Sequence, residues 1–342
     1  MASDPRVSAT AARGVGMVSR RGMLLAVGLG GVGALAGCDS GPDQSAETRP
    51  AADQDAQGSQ LPEPLADTDL LLHTWLDTQH LQHTAKAVPA GQGYGEVLAE
   101  TRRILSIQQA VLGRLIRAQQ GDGSSLSGAP NGGSGADDAA STSGASASPG
   151  RLAAALSPLQ DLPETLGGVS GSNLPTLLSL YGARFALAEA LGRSPEWGLP
   201  SGPTGAASIT LLAGLRQAVY GFEVLAARAS GEERERYRSV LSTLRPLTRT
   251  MTDLAGPAAP AAPLGYGWEA RLNTVADRRR AAQRLGRALP AAAMAGSSAR
   301  AGDVDAIVGT VQVMATVVQV SGSVGVPLTG FPGLSVPRSP DM

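Results

Sequence analysis

Two stretches decide the fold of this chain: residues 211–227, LLAGLRQAVYGFEVLAA, and residues 230–255, SGEERERYRSVLSTLRPLTRTMTDLA. In both stretches, large apolar residues recur at alternating spacings of three and four, which is typical of a helix that presents one face to a core. They therefore predict two adjacent helices of a bundle. The recurring positions are Leu212, Leu215, Val219, Phe222 and Ala226, followed by Tyr237, Val240, Leu244, Leu247, Met251 and Leu254.

Local signals refine the second of these helices. Ser230 and Glu233 have the spacing of a capping box, which predicts a helix start at this point. Pro246 falls inside the apolar stripe, where it removes one backbone hydrogen bond and is expected to kink the helix.

Helical spacing continues on both sides of this pair. We expect helices at about 65–88, 95–119 and 173–192 on the N-terminal side, and at 268–290 on the C-terminal side. Segment 303–320 is ambiguous, because its six valines between 304 and 318 also suit a strand. A helix is more consistent with helical neighbours on all sides, so the sequence predicts an all-α fold.

Composition divides the rest of the chain. We expect a signal peptide at 1–37, a disordered tether at 38–62, a helical segment at 63–120, a Gly/Ser-rich linker at 121–150, a helical segment at 151–192 and a helical bundle at 205–334. The linker at 121–150 either separates two small domains or forms a loop on one helical body. The sequence leaves both open.

The N-terminal segment predicts where the protein resides. Arg20 and Arg21 precede a short apolar run that ends in Leu-Ala-Gly at Cys38, which is the sole cysteine. The ending resembles a bacterial lipobox with Cys38 as the lipidated residue, and the arginine pair resembles a twin-arginine export signal. A general secretory signal remains the alternative. We expect a lipid-anchored protein on the extracytoplasmic face of the membrane.

Charge excludes one class of partner. Removing residues 1–37 takes away four arginines and one aspartate, so the formal net charge of −1 becomes about −4. This acidic balance argues against a nucleic-acid partner.

Residues 205–334 resemble the ferritin-like domain of unknown function found in actinobacterial lipoproteins. The resemblance rests on AVYGF at 218–222, LAAR at 225–228, SGEER at 230–234, the Pro/Ala-rich loop with Tyr266, and FPGL at 331–334. It implies a ferritin-like four-helix bundle preceded by further helices. It implies little about activity.

Metal ligands are scarce in this sequence. A ferritin-type di-iron site needs Glu-x-x-His on two helices, and all three histidines precede residue 84. His73, Asp77, His80 and His83 share one face of the first predicted helix, where Asp77 could pair with His73 or His80. We expect no metal and no cofactor. The alternative is Zn, Cu or Fe bound at this His/Asp face.

The remaining charged clusters are expected to be solvated. Glu232, Glu233 and Glu235 suit a helix start, and Asp277, Asp303 and Asp305 look like first-turn or surface acids. The arginines of the predicted helix at 268–290 face either solvent or anionic lipid; they are Arg278, Arg279, Arg280, Arg284 and Arg287.

Two functions follow from these observations. The first is a non-enzymatic binding or structural protein of the cell envelope, with a protein or anionic lipid as partner. The second is a metal-handling protein or oxidoreductase that uses the His/Asp face. The sequence contains no G-x-S-x-G elbow and no catalytic residues that we can name, which favours the first.

Overall fold

The computed structural model describes residues 67–89, 91, 93–120, 147–267 and 271–335. Within these ranges the regular structure is entirely helical, which confirms the all-α prediction. The α-helices are α1 (Thr68–Ala87), α2 (Gly95–Gln120), α3 (Pro149–Leu156), α4 (Leu162–Gly167), α5 (Leu174–Ala190), α6 (Ala206–Arg228), α7 (Gly231–Ala255), α8 (Val275–Met294) and α9 (Val304–Ser323). The predicted export signal at Arg20 and Arg21, the lipidation site Cys38 and the tether at 38–62 lie outside the described residues.

The long helices lie where the apolar spacing predicted them, and the ambiguous segment 303–320 is helical as α9. Buried residues occur on most sides of α9, so a helix built largely of valine is stabilised by packing rather than by propensity. The prediction at 268–290 missed both ends, because α8 begins at Val275 and continues past Pro290 to Met294. Pro246 lies within α7, and that helix continues on both sides of it.

The helices pack around a shared core. α6 lies against α7 and α8, while α9 contacts α5, α7 and α8, and α1 pairs with α2. The largest cluster of buried apolar residues draws on α1, α2 and every helix from α4 to α9. A smaller cluster lies between α1, α2, α3 and α5. The described helices of 67–120 and 147–190 therefore share buried contacts with the C-terminal helices.

Close helix crossings depend on glycine. A side-chain carbon at Gly182 of α5 would lie 2.7 Å from the Cβ atom of Met314 in α9. A side-chain carbon at Gly309 would lie 2.6 Å from the backbone nitrogen of Gly202. Both positions let another part of the chain approach α9 or α5 more closely than any larger residue would allow.

The predicted capping box at the start of α7 is wrong. Ser230 makes no side-chain hydrogen bond to the helix, and the Glu233 carboxylate is engaged elsewhere. A capping box does form at the start of α8. There the Asp277 amide donates to Thr274 Oγ1 at 3.1 Å, and the Thr274 amide donates to Asp277 Oδ2 at 3.2 Å.

Two of the described helices, α6 and α9, are long and apolar enough to cross a bilayer by length and composition. About two thirds of the apolar window of α9 is buried inside the protein. A core helix meets the same criteria, so length and composition alone do not assign either helix to a membrane.

Candidate binding cleft

The predicted His/Asp face does not come together as a cluster. His73, His80 and His83 are exposed on α1, whereas Asp77 turns toward the core and pairs with Arg184 of α5, at 2.6 Å between Oδ2 and Nη1. The predicted pairing of Asp77 with His73 or His80 is therefore wrong. In the described part of the chain, no group of three or more His, Cys, Asp or Glu residues is placed to hold a metal ion.

Arg184 is the centre of a buried polar network that the sequence analysis missed. Its side chain is fully buried, and its guanidinium also donates to Thr78 Oγ1 at 2.6 Å and to Gln108 Oε1 at 3.3 Å. The Gln108 amide in turn donates to the carbonyl oxygens of Leu180 at 3.3 Å and Gly330 at 3.0 Å. The network therefore ties α1, α2 and α5 to the chain near residue 330. The sequence feature that could have predicted this network is an arginine within the apolar run LLSLYGARFALA at 177–188.

A second ion pair corrects the prediction for the α7 and α8 charges. Glu233 and Arg278 were expected to face solvent, yet their side chains are only 15% and 10% exposed and lie 2.6 Å apart. Tyr237 donates to the same carboxylate at 3.0 Å. Hydrogen bonds from Arg278 lower the pKa of Glu233, and burial together with Glu233 raises the pKa of Tyr237 to about 12.

The other acids and arginines mostly follow the predictions. Asp277 and Asp303 cap the starts of α8 and α9, and Asp305 lies in the first turn of α9. Glu232 and Glu235 are exposed at the start of α7. The exposed arginines of α8 are Arg279, Arg280, Arg284 and Arg287.

Arg300 is a buried cation whose hydrogen bonds go to neutral groups. It donates to the carbonyl oxygens of Ala293 at 3.1 Å and Ala295 at 2.9 Å, and to Thr310 Oγ1 at 2.8 Å. The C-terminal carbonyls of α8 carry partial negative charge and stabilise this cation. Burial nevertheless lowers the pKa of Arg300 to about 10.

The described residues form a cleft of about 630 Å³ between α2, α5, α8 and α9. We define the C-terminal strap as residues 326–334, several of which form one edge of this cleft. Side chains of α2 and α5 hold the strap through its backbone. Arg103 donates to Leu328 O at 2.5 Å, Gln108 to Gly330 O at 3.0 Å, and Ser179 to Pro332 O at 2.7 Å.

The cleft has apolar walls and a charged rim. The apolar side chains come from all four helices and the strap; they include Val97, Ala186, Leu187, Val318, Val326 and Leu328. The charged lining residues are Glu96, Glu100, Glu189 and Arg287. The described lining residues include no histidine, cysteine or lysine.

A second cavity, of about 560 Å³, lies where α7 and α8 begin and α9 ends. Its lining is more polar and includes Glu232, Arg236, Arg279 and Gln283. Charges of both signs face it, and Glu233, the partner of Arg278, is one of its lining residues.

Neither cavity could be predicted from the sequence. The larger cleft draws on residues from Glu96 to Gly333, and no spacing pattern marks residues that are brought together across such distances. The one motif that contributes to the lining of this cleft is FPGL at 331–334, and the sequence analysis used that motif for the family resemblance rather than for a binding site.

Comparison of the chain with protein-family models, with curated proteins and with solved structures finds no significant match.

Proposed function

We propose that this chain is an extracytoplasmic lipoprotein, anchored through a lipid on Cys38, whose helical body is a binding protein of the cell envelope. The observation that carries the binding function is the apolar cleft with its charged rim. A cavity of about 630 Å³ lies within the range of small-molecule sites, and its walls are apolar as such sites usually are.

The anchor is supported by the sequence alone. Arg20 and Arg21, the apolar run and the Leu-Ala-Gly-Cys ending form the order expected of a lipoprotein export signal. The acidic stretch at 38–62, which is poor in large apolar residues, would then connect the lipid to the helical body.

We further propose that α6, α7, α8 and α9 form a ferritin-like bundle that works without a metal. Support comes from the pairing of α6 with α7 and α8, and of α9 with α7 and α8. Glu-x-x-His is missing from 205–334, and Asp77, the carboxylate of the His/Asp face, is occupied by Arg184.

Fractionation of cells that express the native chain tests the anchor. We expect the protein in the membrane fraction, with a mass shift from acylation. Cys38→Ala should abolish both, and Arg20→Lys/Arg21→Lys should leave the precursor inside the cell. Membrane association that survives Cys38→Ala would refute the lipid anchor. Export that survives the double substitution would leave the general secretory route.

Elemental analysis tests the metal-free proposal. The chain, purified without chelators or a His tag, should carry no stoichiometric Zn, Cu or Fe. A near-equimolar metal that disappears in a His80→Ala/His83→Ala variant would instead establish the metal-handling function.

A further inference from the structure

We infer that the cleft between α2, α5, α8 and α9 binds an organic cation that has an apolar body, such as an alkyl or aryl ammonium. This inference rests on the proposed binding function and names the ligand class of the same site. It follows from the size of the cleft, its apolar walls and the sign of its rim charges.

The walls fit an apolar body. Ala186, Leu187 and Val318 are largely buried, and their exposed edges face the cleft between the two helices α5 and α9. Leu328 of the strap and Val97 of α2 contribute apolar surface from the other side. An alkyl or aryl group placed here would lose contact with water on most sides, which is the main source of affinity in such sites.

The rim charges favour a cation. Glu96 and Glu100 lie one turn apart on α2, and Glu189 lies near the end of α5. Arg287 of α8 is the single basic residue of the lining. Three carboxylates against one guanidinium give the lining a net negative charge.

The carboxylates differ in how far they are already satisfied. Glu100 forms a two-point pair with Arg103, at 2.6 and 2.7 Å, and is therefore occupied. Glu189 accepts a hydrogen bond from Gln319 through Oε2, and among the described residues nothing bonds to its other oxygen, which is therefore open to a ligand. Glu96 is exposed in the first turn of α2 and forms no ion pair within the described residues. Glu96 and Glu189 are therefore the groups that would meet an ammonium.

Three probes with one alkyl chain and different head groups separate charge from apolar contact: octylammonium, octanol and octanoate. Binding is measured by calorimetry at neutral pH and low salt. The protein is the full chain with Cys38→Ser, so that no attached acyl chain competes for the cleft. We expect octylammonium to bind about fivefold more tightly than octanol, since an exposed ion pair contributes up to about that factor. Octanoate should bind more weakly than octanol.

Paired variants locate the site. Ala190 lines the cleft at the exposed end of α5, so Ala190→Phe should block part of the cleft and weaken binding of octylammonium. Ala288→Phe places the same group on an exposed position of α8 outside the lining and should change nothing. Glu96→Gln/Glu189→Gln should remove the preference for octylammonium over octanol. Glu235→Gln, at an exposed carboxylate of α7, should keep that preference.

Each other result overturns the inference in a defined way. Equal affinity for the three probes would show an apolar site without charge selection, and tighter binding of octanoate would assign the ligand to Arg287. No saturable binding, or binding unaffected by Ala190→Phe, would remove the cleft as the site. Because the assay uses Cys38→Ser, its outcome is independent of lipidation. Failure of the membrane fractionation with success here would refute the anchor alone.

Discussion

Replacing Asp77 by asparagine removes the carboxylate that pairs with the fully buried Arg184 guanidinium while keeping the shape of the side chain. A charge-assisted hydrogen bond contributes roughly 1.5–3 kcal/mol. Leaving a buried charge without its partner costs about 3–5 kcal/mol. Because the Asp77 side chain is 39% exposed, water can partly solvate the site. We therefore expect Asp77→Asn to lower the free energy of unfolding by about 2–4 kcal/mol.

Replacing Arg184, the other partner of this ion pair, has a different effect. Arg184→Met removes the charge and leaves an apolar side chain of similar length in the core. Thr78 still donates to the Thr74 carbonyl, and Gln108 still donates to Leu180 and Gly330. Gln108 Oε1, Thr78 Oγ1 and the Asp77 carboxylate each lose the donor that Arg184 supplied. Water can solvate the partly exposed Asp77 carboxylate, so we expect a loss of about 1–3 kcal/mol. With no buried cation present, adding Asp77→Asn should then cost nothing further.

Urea unfolding of the four proteins in this double-mutant cycle measures the coupling, which we expect to be about 2 kcal/mol or more. The matched control is the Glu235–Arg238 pair, whose side chains are 65% and 60% exposed and should couple by less than about 1 kcal/mol. Additive effects at Asp77 and Arg184, within about 0.5 kcal/mol, would refute the reasoning that the carboxylate balances a buried charge.

Three further predictions concern α5, α7 and α9. Because Arg278 lowers the pKa of Glu233, the stability that this carboxylate contributes is present above the unfolded pKa of about 4.3 and is lost as pH falls through the lower native pKa. In Glu233→Gln, the free energy of unfolding, measured with urea, should therefore fall less steeply at acidic pH than in the wild type. An unchanged pH dependence would contradict a stabilising Glu233–Arg278 ion pair. Gly182→Ala should destabilise by about 1–3 kcal/mol through overpacking, whereas Gly322→Ala, with open space around it, should be neutral or stabilising in thermal unfolding. Pro246→Ala should stabilise α7 by up to about 3 kcal/mol, because it restores a backbone donor. Circular-dichroism melts measure the change, and a lower melting temperature would count against this prediction.

The sequence predicted the long helices because each buries one face, and burial on one face leaves a regular spacing of apolar residues. It missed α3 and α4 as separate helices, since Pro149–Leu156 and Leu162–Gly167 are too short to show a full helical repeat. At Ser230 and Glu233 the local spacing was right for a capping box, but Arg278 of α8 competes for the same carboxylate. Sequence spacing does not report such competition from a distant helix.

The candidate site was not predictable for the same reason. Glu96, Glu189 and Arg287 lie on three different helices. Taken one at a time, the sequence around each predicts only an ordinary surface charge. Asp77 was identified as a chemically interesting residue, but its partner came from α5 rather than from the neighbouring histidines. Helix-wheel arguments place residues on a face; they do not say which other helix that face will meet.

The C-terminal strap also determines when the fold can form fully during synthesis. Arg103 and Gln108 bond to strap carbonyls 225 and 222 residues further along the chain. A nascent chain emerging from the ribosome has α2 and α5 available before Leu328 and Gly330, so the Gln108 amide can meet Leu180 O early but Gly330 O only after the strap has been made. Contacts of such high sequence separation slow folding, because a long loop must close before they form. If the chain is exported in a folded state, as the arginine pair suggests, translocation has to wait for this last closure.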